Sequence, residues 1–416
     1  MKKYYPTKYY IRFITYLFFI AFSKFYRIKK IMPAEVKLLK PPYLLLSNHV
    51  GFWDPFVVGN FLPHFVHFVS SDAAFRNKFQ RFFLTRLGTI PKKKNMRDTK
   101  VIRDILNVIA QGESVGIFPE AVRNWSGSSF PMDPSIAKLI KLLNVPVVVP
   151  IMKGMHLFHP RWSGKIRRTK VVVFYQLLFT KAQVEKRTEK QIFTLLSETI
   201  NHHEVAWQRQ EMNHIRSKHK AEFINHALYL CPHCHAIDSF FASGNEFACT
   251  VCNYDLQIND YGFFERKSPG ELYFDNISDW YNYEEQWLYN WVSQKLNGNP
   301  DTLLFEDKAS SVYHSSSGHD LKFIGKADVQ LYTNRIEMVF LDESKIITLD
   351  FEVLQTINPQ VKEMLEIYYN GDAYRVIGNR SGVSALKWEV AVNAIWKNLG
   401  QTVKLSPYIL PNFRKN

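Results

Sequence analysis

From Pro41 to about Tyr175, short apolar runs alternate with stretches of helical period, the pattern of an α/β domain. Tyr43–Leu46, His67–Val69, Ser114–Phe118, Val145–Ile151 and Lys170–Phe174 are predicted as strands, the fourth a core strand bracketed by prolines. Val101–Gln111 and Ser135–Leu143 are predicted as helices. In the second, Ile136, Leu139, Ile140 and Leu143 share one face while Lys138 and Lys141 point away. Ahead of this region, residues 1–30 are basic at both ends and apolar between. The eleven uncharged residues Phe13 to Ser23 fall short of the roughly 20 that a spanning helix needs. The expectation is a monotopic helix lying in a membrane interface.

Past a His- and Lys-rich connector near residues 200–225 the pattern changes. Residues 278–295 have helical period, with Ser278 as the expected cap and Trp280, Tyr283, Trp287, Leu288 and Trp291 as the expected core face. From about residue 300 the period becomes two. Ala327–Leu331, Arg335–Phe340, Ile346–Phe351, Met364–Tyr369 and Ala373–Ile377 read as antiparallel strands of a small β-barrel. Asn370-Gly371 marks a hairpin between the last two, and a closing helix follows over Val383–Leu399. Seven or so strands and then a helix look like a pleckstrin-homology or GRAM-like domain, a resemblance of pattern that implies lipid or protein docking. The expected organisation is an N-terminal helix (1–30), an α/β domain (31–215), a small cysteine-bearing module (226–262), an amphipathic helix (276–296) and the β-rich domain (300–400).

Charge sharpens this division. Of the 416 residues, the first 220 hold 37 Lys+Arg against 13 Asp+Glu, and the remainder 16 against 25. A basic first half suits an anionic membrane, a phosphorylated substrate or nucleic acid. All four cysteines lie in the acidic half, as Cys231-Pro232-His233-Cys234 and Cys249-Thr250-Val251-Cys252. Two such knuckles supply four thiolates to one tetrahedral site, the pattern of a structural zinc ribbon in a reducing compartment. Few Lys or Arg flank them, so no nucleic-acid partner is expected.

The candidate chemistry sits where predicted strands end. Asn48, His49 and Asp54 follow the first strand, and Glu120 and Arg123 follow Ser114–Phe118. A histidine beside a carboxylate can act as a base, and a guanidinium suits a phosphate. Between these blocks Lys78, Arg81, Arg86, Lys92, Lys93 and Lys94 interleave with Phe79, Phe82, Phe83 and Leu84, a mixture fitted to nucleic acid or to an anionic lipid headgroup.

Four blocks in one order resemble the glycerolipid acyltransferase family, which includes the 1-acylglycerol-3-phosphate acyltransferases. They are Asn48-His49 with Asp54; Arg86, Gly88, Ile90 and Pro91; Phe118-Pro119-Glu120-Ala121 with Arg123; and Val145 to Pro150. The resemblance covers roughly residues 10–210 and implies a mixed sheet flanked by helices. It implies acyl transfer from a thioester, acyl-CoA or acyl-ACP, to the hydroxyl of a lysophospholipid at the cytoplasmic face of a membrane. In that reading His49 is the base, Asp54 orients it, and Arg123 binds the acceptor phosphate with Arg86 and Lys92 or Lys93. Glu120 positions Arg123 or meets the glycerol hydroxyl. The sequence departs from the family at Ala121, where glycine is usual, and at Asn124, where serine or threonine is usual. Ala121 is the feature that would favour the rival reading, a catalytically silent lipid-binding scaffold.

Overall fold

Leu44, Leu45 and Leu46 are wholly buried, so both faces of their strand are covered and it must lie inside a sheet. The computed structural model describes residues 4–75, 77–92, 99–120, 122–298, 301–316, 321–342 and 345–406. Ala121, Lys93 and Lys94 lie outside the described residues. Two compact units divide the chain: Met1–Pro160 with Arg168–Ile215, and Arg161–Arg167 with Arg216–Asn416.

The first unit holds β1 (Ile28–Ile31), β2 (Leu44–Leu46), β3 (Val66–Ser71), β4 (Ile90–Lys92), β5 (Ser114–Ile117), β6 (Val147–Lys153) and β7 (Val171–Phe179). Its helices are α1 (Tyr9–Tyr26), α2 (Ala34–Lys37), α3 (Asp54–Asn60), α4 (Lys78–Arg86), α5 (Thr99–Ala110), α6 (Ser135–Leu143), α7 (Met155–Phe158), α8 (Lys181–Lys186), α9 (Glu189–Ile200) and α10 (Glu204–Glu211). The sheet runs β1-β7-β6-β2-β5-β3-β4, parallel except between β6 and β7. Consecutive neighbours of β2 lead away in opposite directions, which opens a crevice at its carboxyl end. Leu44 and Leu46 join one core with Val101, Ile105 and Val108 of α5, Ile136 and Ile140 of α6, and Ile192 and Leu196 of α9. Each such buried aliphatic side chain contributes about 1.5–3 kcal/mol.

Helix α1 packs along a narrow stripe. Ile11, Phe19 and Ser23 are buried, with Phe19 stacked 4.6 Å from Phe56 and Phe22 lying 5.4 Å from Trp53. Phe13, Ile14, Leu17 and Phe18 on the same helix are half exposed or more. No helix among the described residues is long and apolar enough to cross a membrane.

The second unit begins with β8 (Phe240–Ser243), β9 (Glu246–Cys249), β10 (Asp255–Ile258) and β11 (Phe264–Arg266) in one antiparallel sheet, followed by α11 (Ile277–Leu296). This sheet reaches Arg266, beyond the expected limit at 262. Strands β12 (Leu303–Ser315), β13 (Lys322–Tyr332), β14 (Arg335–Phe340), β15 (Ile346–Asp350), β16 (Leu354–Pro359), β17 (Met364–Tyr369) and β18 (Asp372–Ile377) precede α12 (Leu386–Asn398). Their order, β15-β14-β13-β12-β18-β17-β16, leaves β15 and β16 as edges. The expected antiparallel strands form one seven-stranded sheet, with register shifts along β12 where it passes β13. Such irregularities bend and twist a strand.

Two expectations for α11 are corrected. Its cap is Asn276, whose side chain accepts from the Asp279 N–H, while Ser278 lies inside the helix and is buried. Its buried face carries Trp280, Tyr281, Glu284, Glu285, Leu288 and Val292, whereas Tyr283, Trp287 and Trp291 are only partly covered. Glu284 belongs inside because its carboxylate accepts the N–H groups of Tyr229 and Leu230, at 2.9 and 3.1 Å. Those partners lie more than fifty positions away in sequence.

Candidate active site at the strand ends

Strand β2 delivers Asn48 and His49 into the crevice. Asn48 is fixed first. Its amide donates to the Met152 carbonyl and its oxygen accepts the Met152 N–H, both at 2.9 Å, which pairs the chain beyond β2 with β6. The next residue, His49, places Nδ1 2.8 Å from Asp54 Oδ2. The same oxygen accepts the N–H groups of Val50 and Gly51, at 2.6 and 2.9 Å, so the carboxylate organises the turn that presents the ring. Asp54 opens α3 and is fully buried, while the His49 side chain keeps 20% exposure. Phe118 lies against the imidazole, with ring centroids 4.4 Å apart. Nδ1 bonded to a buried carboxylate fixes the ring's orientation and favours an imidazolium, as a histidine base requires.

The backbone of His49 is held by the loop after β5. Glu120 Oε1 accepts the His49 N–H at 3.1 Å and Oε2 accepts the Phe130 N–H at 3.1 Å. Asn124 donates to the His49 carbonyl from its backbone and from its side chain, each at 3.2 Å. Its side-chain oxygen then accepts the Gly127 N–H at 3.0 Å. Asn124 thus braces the base from behind. The sequence singled it out only as a departure from a pattern, and no local signal ties it to His49.

Each Glu120 oxygen accepts a backbone N–H group, so the side chain orders the loop after β5. Burial pushes its pKa up to about 8, against the opposing pull of the Phe130 and His49 N–H groups; nearby Asp54 adds to the rise. The sign follows. A carboxyl whose folded pKa lies above its ordinary 4.5 stabilises the fold fully below that value, and the contribution is lost as pH rises through about 8. Thermal stability should therefore decline between about pH 4.5 and 8, and Glu120→Gln should flatten that decline. Because glutamine offers only one acceptor oxygen, the variant should also lose about 1–3 kcal/mol through an unpaired backbone N–H. Calorimetry across that pH range reads both effects, and a slope unchanged by the substitution would contradict the assignment.

Arg123 is partly covered and lies within electrostatic reach of Asp54. Desolvation lowers its pKa from the ordinary value, and the Asp54 charge works in the opposite direction. His49, Asp54, Glu120, Asn124 and Arg123 are thus gathered around the end of β2. The Arg86 guanidinium lies 3.6 Å from the Phe82 ring centroid and donates to the Phe82 carbonyl. Gly88, two positions on, has φ +64°, and a Cβ there would come within 2.5 Å of the Tyr5 carbonyl oxygen. The N-terminal segment closes over that turn, which only glycine permits.

The four cysteines form a second centre. Their sulfur atoms all lie within 4.8 Å of one another, with Cys231–Cys252 and Cys234–Cys249 each at 3.7 Å. Four thiolates around one ion with bonds of about 2.3 Å have a tetrahedral edge of about 3.8 Å, so the set fits a metal ion. The two knuckles repeat one geometry. His235 after the first and Asn253 after the second both have positive φ, and their N–H groups return to the carbonyls of Cys231 and Cys249.

A partly exposed histidine on a buried aspartate at the end of a central parallel strand, backed by a carboxylate and an arginine, is an arrangement capable of acid–base chemistry. Comparison with known proteins shows what this region is similar to. Residues 25–153 match the family model described as acyltransferase, about a third of the chain. Over 113 residues the chain is 23% identical to the 1-acyl-sn-glycerol-3-phosphate acyltransferase of Bacillus subtilis (strain 168), covering 27% of this chain and 56% of that protein. Among solved structures, the 1-acyl-sn-glycerophosphate acyltransferase of Thermotoga maritima aligns with a TM-score of 0.40 at 13% identity, over 47% of this chain and 78% of that one. The N-terminal PH domain of Vps36 aligns with a TM-score of 0.20 at 15% identity, over 24% of this chain and 83% of that domain.

Proposed function

We propose that the first unit transfers a fatty acyl group from a thioester, acyl-CoA or acyl-ACP, to the free hydroxyl of a lysophospholipid, with 1-acylglycerol 3-phosphate giving phosphatidate as the favoured reaction. The observation that carries this is the 2.8 Å contact between His49 Nδ1 and buried Asp54, within the segment that matches the acyltransferase model. The acceptor hydroxyl gives its proton to His49 Nε2 as its oxygen attacks the thioester carbonyl. Asp54 balances the imidazolium that forms. Collapse of the tetrahedral species breaks the C–S bond, and the departing thiolate takes the proton back from the imidazolium. No acyl-enzyme is needed, since the acceptor is itself the nucleophile. Arg123 binds the acceptor phosphate.

The protein works as a peripheral, monotopic component of the cytoplasmic face of a membrane, with the exposed apolar side of α1 in the interface. Cys231, Cys234, Cys249 and Cys252 hold a structural zinc ion, which supplies a cross-link and no chemistry, because four protein ligands leave no open position. The sheet and helix of residues 303–398 serve as a PH-like docking module.

Incubating the purified protein with a labelled acyl thioester and a panel of lysolipids tests the reaction. Labelled diacyl product should form fastest from acceptors bearing an accessible phosphate. Arg123→Ala should raise KM for the acceptor and leave KM for the donor unchanged. A failure of the wild-type protein to acylate any acceptor would reject the enzyme and leave the silent lipid-binding scaffold.

A further inference from the structure

Helix α4 (Lys78–Arg86) has no buried residue. Its sequence, Lys-Phe-Gln-Arg-Phe-Phe-Leu-Thr-Arg, nevertheless carries four large apolar side chains. Phe79 is 71% exposed and Phe82 43%, and their rings cluster with Phe83, at centroid distances of 4.8 and 5.4 Å. A helix this short is marginal in water on propensity alone and normally owes its stability to burying an apolar face. Exposed aromatic clusters of this kind mark a surface that something else covers.

Charge decides what covers it. No Asp or Glu occurs from residue 73 to residue 97, nor from residue 1 to residue 34, while Lys78 and Arg81 are exposed beside the phenylalanines. A second copy of the chain meeting this face symmetrically would set cation against cation. An anionic leaflet accepts both the rings and the charges. The helix also continues a surface of the same chemistry. Lys8, which precedes α1, donates its N–H to the Arg86 carbonyl at the end of α4, and α1 itself presents exposed Phe13, Ile14, Leu17 and Phe18.

We propose that α4 is a second membrane-inserting element, seating Phe79 and Phe82 among the acyl chains of an anionic bilayer and Lys78 and Arg81 among its headgroups. Together with α1 it forms a two-point seat. Because α4 runs directly into Arg86 and the Gly88 turn, its insertion sets that turn at headgroup level, where a bilayer-borne acceptor arrives. This last consequence rests on the proposed acyl transfer; the insertion itself is read by binding alone.

The test uses the full chain, co-sedimented with phosphatidylcholine vesicles with and without phosphatidylserine. The Lys78→Ser/Phe79→Ser double variant should partition into the anionic vesicles about 10-fold more weakly than wild type. Phe79→Leu, which keeps the apolar side chain, should restore most of the binding, and Lys190→Ser on the exposed face of α9 should change nothing. If the protein transfers acyl groups, turnover of a dispersed short-chain acceptor should be the same for wild type and double variant. Partitioning of the double variant within two-fold of wild type would overturn the proposal. So would a wild-type dimer in sedimentation velocity that the double variant abolishes without altering vesicle binding, which would assign the face to a second copy.

Discussion

Replacing His49 by alanine is expected to lower acyl transfer by about 10³-fold, the usual range for a lost general base, without lowering thermal stability. The fold should tolerate the change because the ring is partly exposed and its described contacts are Phe118 and Asp54. Removing it leaves Asp54 Oδ2 with the N–H groups of Val50 and Gly51, so no buried carboxylate is stranded. Asp54→Asn tests the other half of the pair. Asparagine can still offer one oxygen to the three donors, yet it cannot balance an imidazolium. Turnover should fall by about 10²–10⁴-fold, and the double variant should be no worse than His49→Ala, as expected for residues that act as a unit. Added imidazole should partly restore the alanine variant. Near-wild-type turnover by His49→Ala would remove His49 as the base, whatever reaction the site performs.

Which parts of this site the sequence exposes follows from the distance over which each residue finds its partner. His49 and Asp54 are five positions apart, and a strand end announces them. Glu120 and Arg123 are equally visible as a cluster. The partners of Glu120 were not legible, because they are the N–H groups of His49, 71 positions away, and of Phe130, across a loop with no pattern. The contact of Arg86 with Phe82, one helical turn earlier, was not read from the sequence either.

The same rule divides the rest of the fold. Central strands such as β2 and β6 are apolar throughout because both faces are covered, so they stand out as continuous runs. Strand β12 did not. Bulges after Leu303, Asp307 and Val312 break its alternation, and Asp307 within it is buried against Lys387 and Trp388, some 80 positions on. Glu284 is buried for a comparable reason, its partners Tyr229 and Leu230 lying more than fifty positions away. The cysteine knuckles were legible because each is a local turn.

Removing the metal proposed for the four cysteines is expected to unfold the whole second unit, well beyond the segment proposed to bind it. The first knuckle is continuous with Tyr229 and Leu230, whose N–H groups are accepted by Glu284, while Trp280 donates its indole N–H to the Leu230 carbonyl at 3.0 Å. Trp280 is fully buried and packs against Phe240, Phe247, Tyr254 and Phe264, so the ribbon and α11 share one core. A second tie runs from Asp238, between the first knuckle and β8. It bonds the ammonium of Lys387 and accepts the Ser384 N–H, and Lys387 also reaches Asp307 of β12 at 2.6 Å. Lys387 is 1% exposed, and breaking a buried charge pair by losing one partner typically costs about 3–5 kcal/mol. A ribbon released by chelation would therefore uncover the core under α11 and leave Lys387 short of a carboxylate in the same event. Hydrogen exchange before and after a strong chelator should show protection lost together in the ribbon, α11, β12 and α12, with one cooperative transition. Loss confined to residues 231–266 would refute the coupling, and purified protein holding under about half an equivalent of metal would refute the site itself.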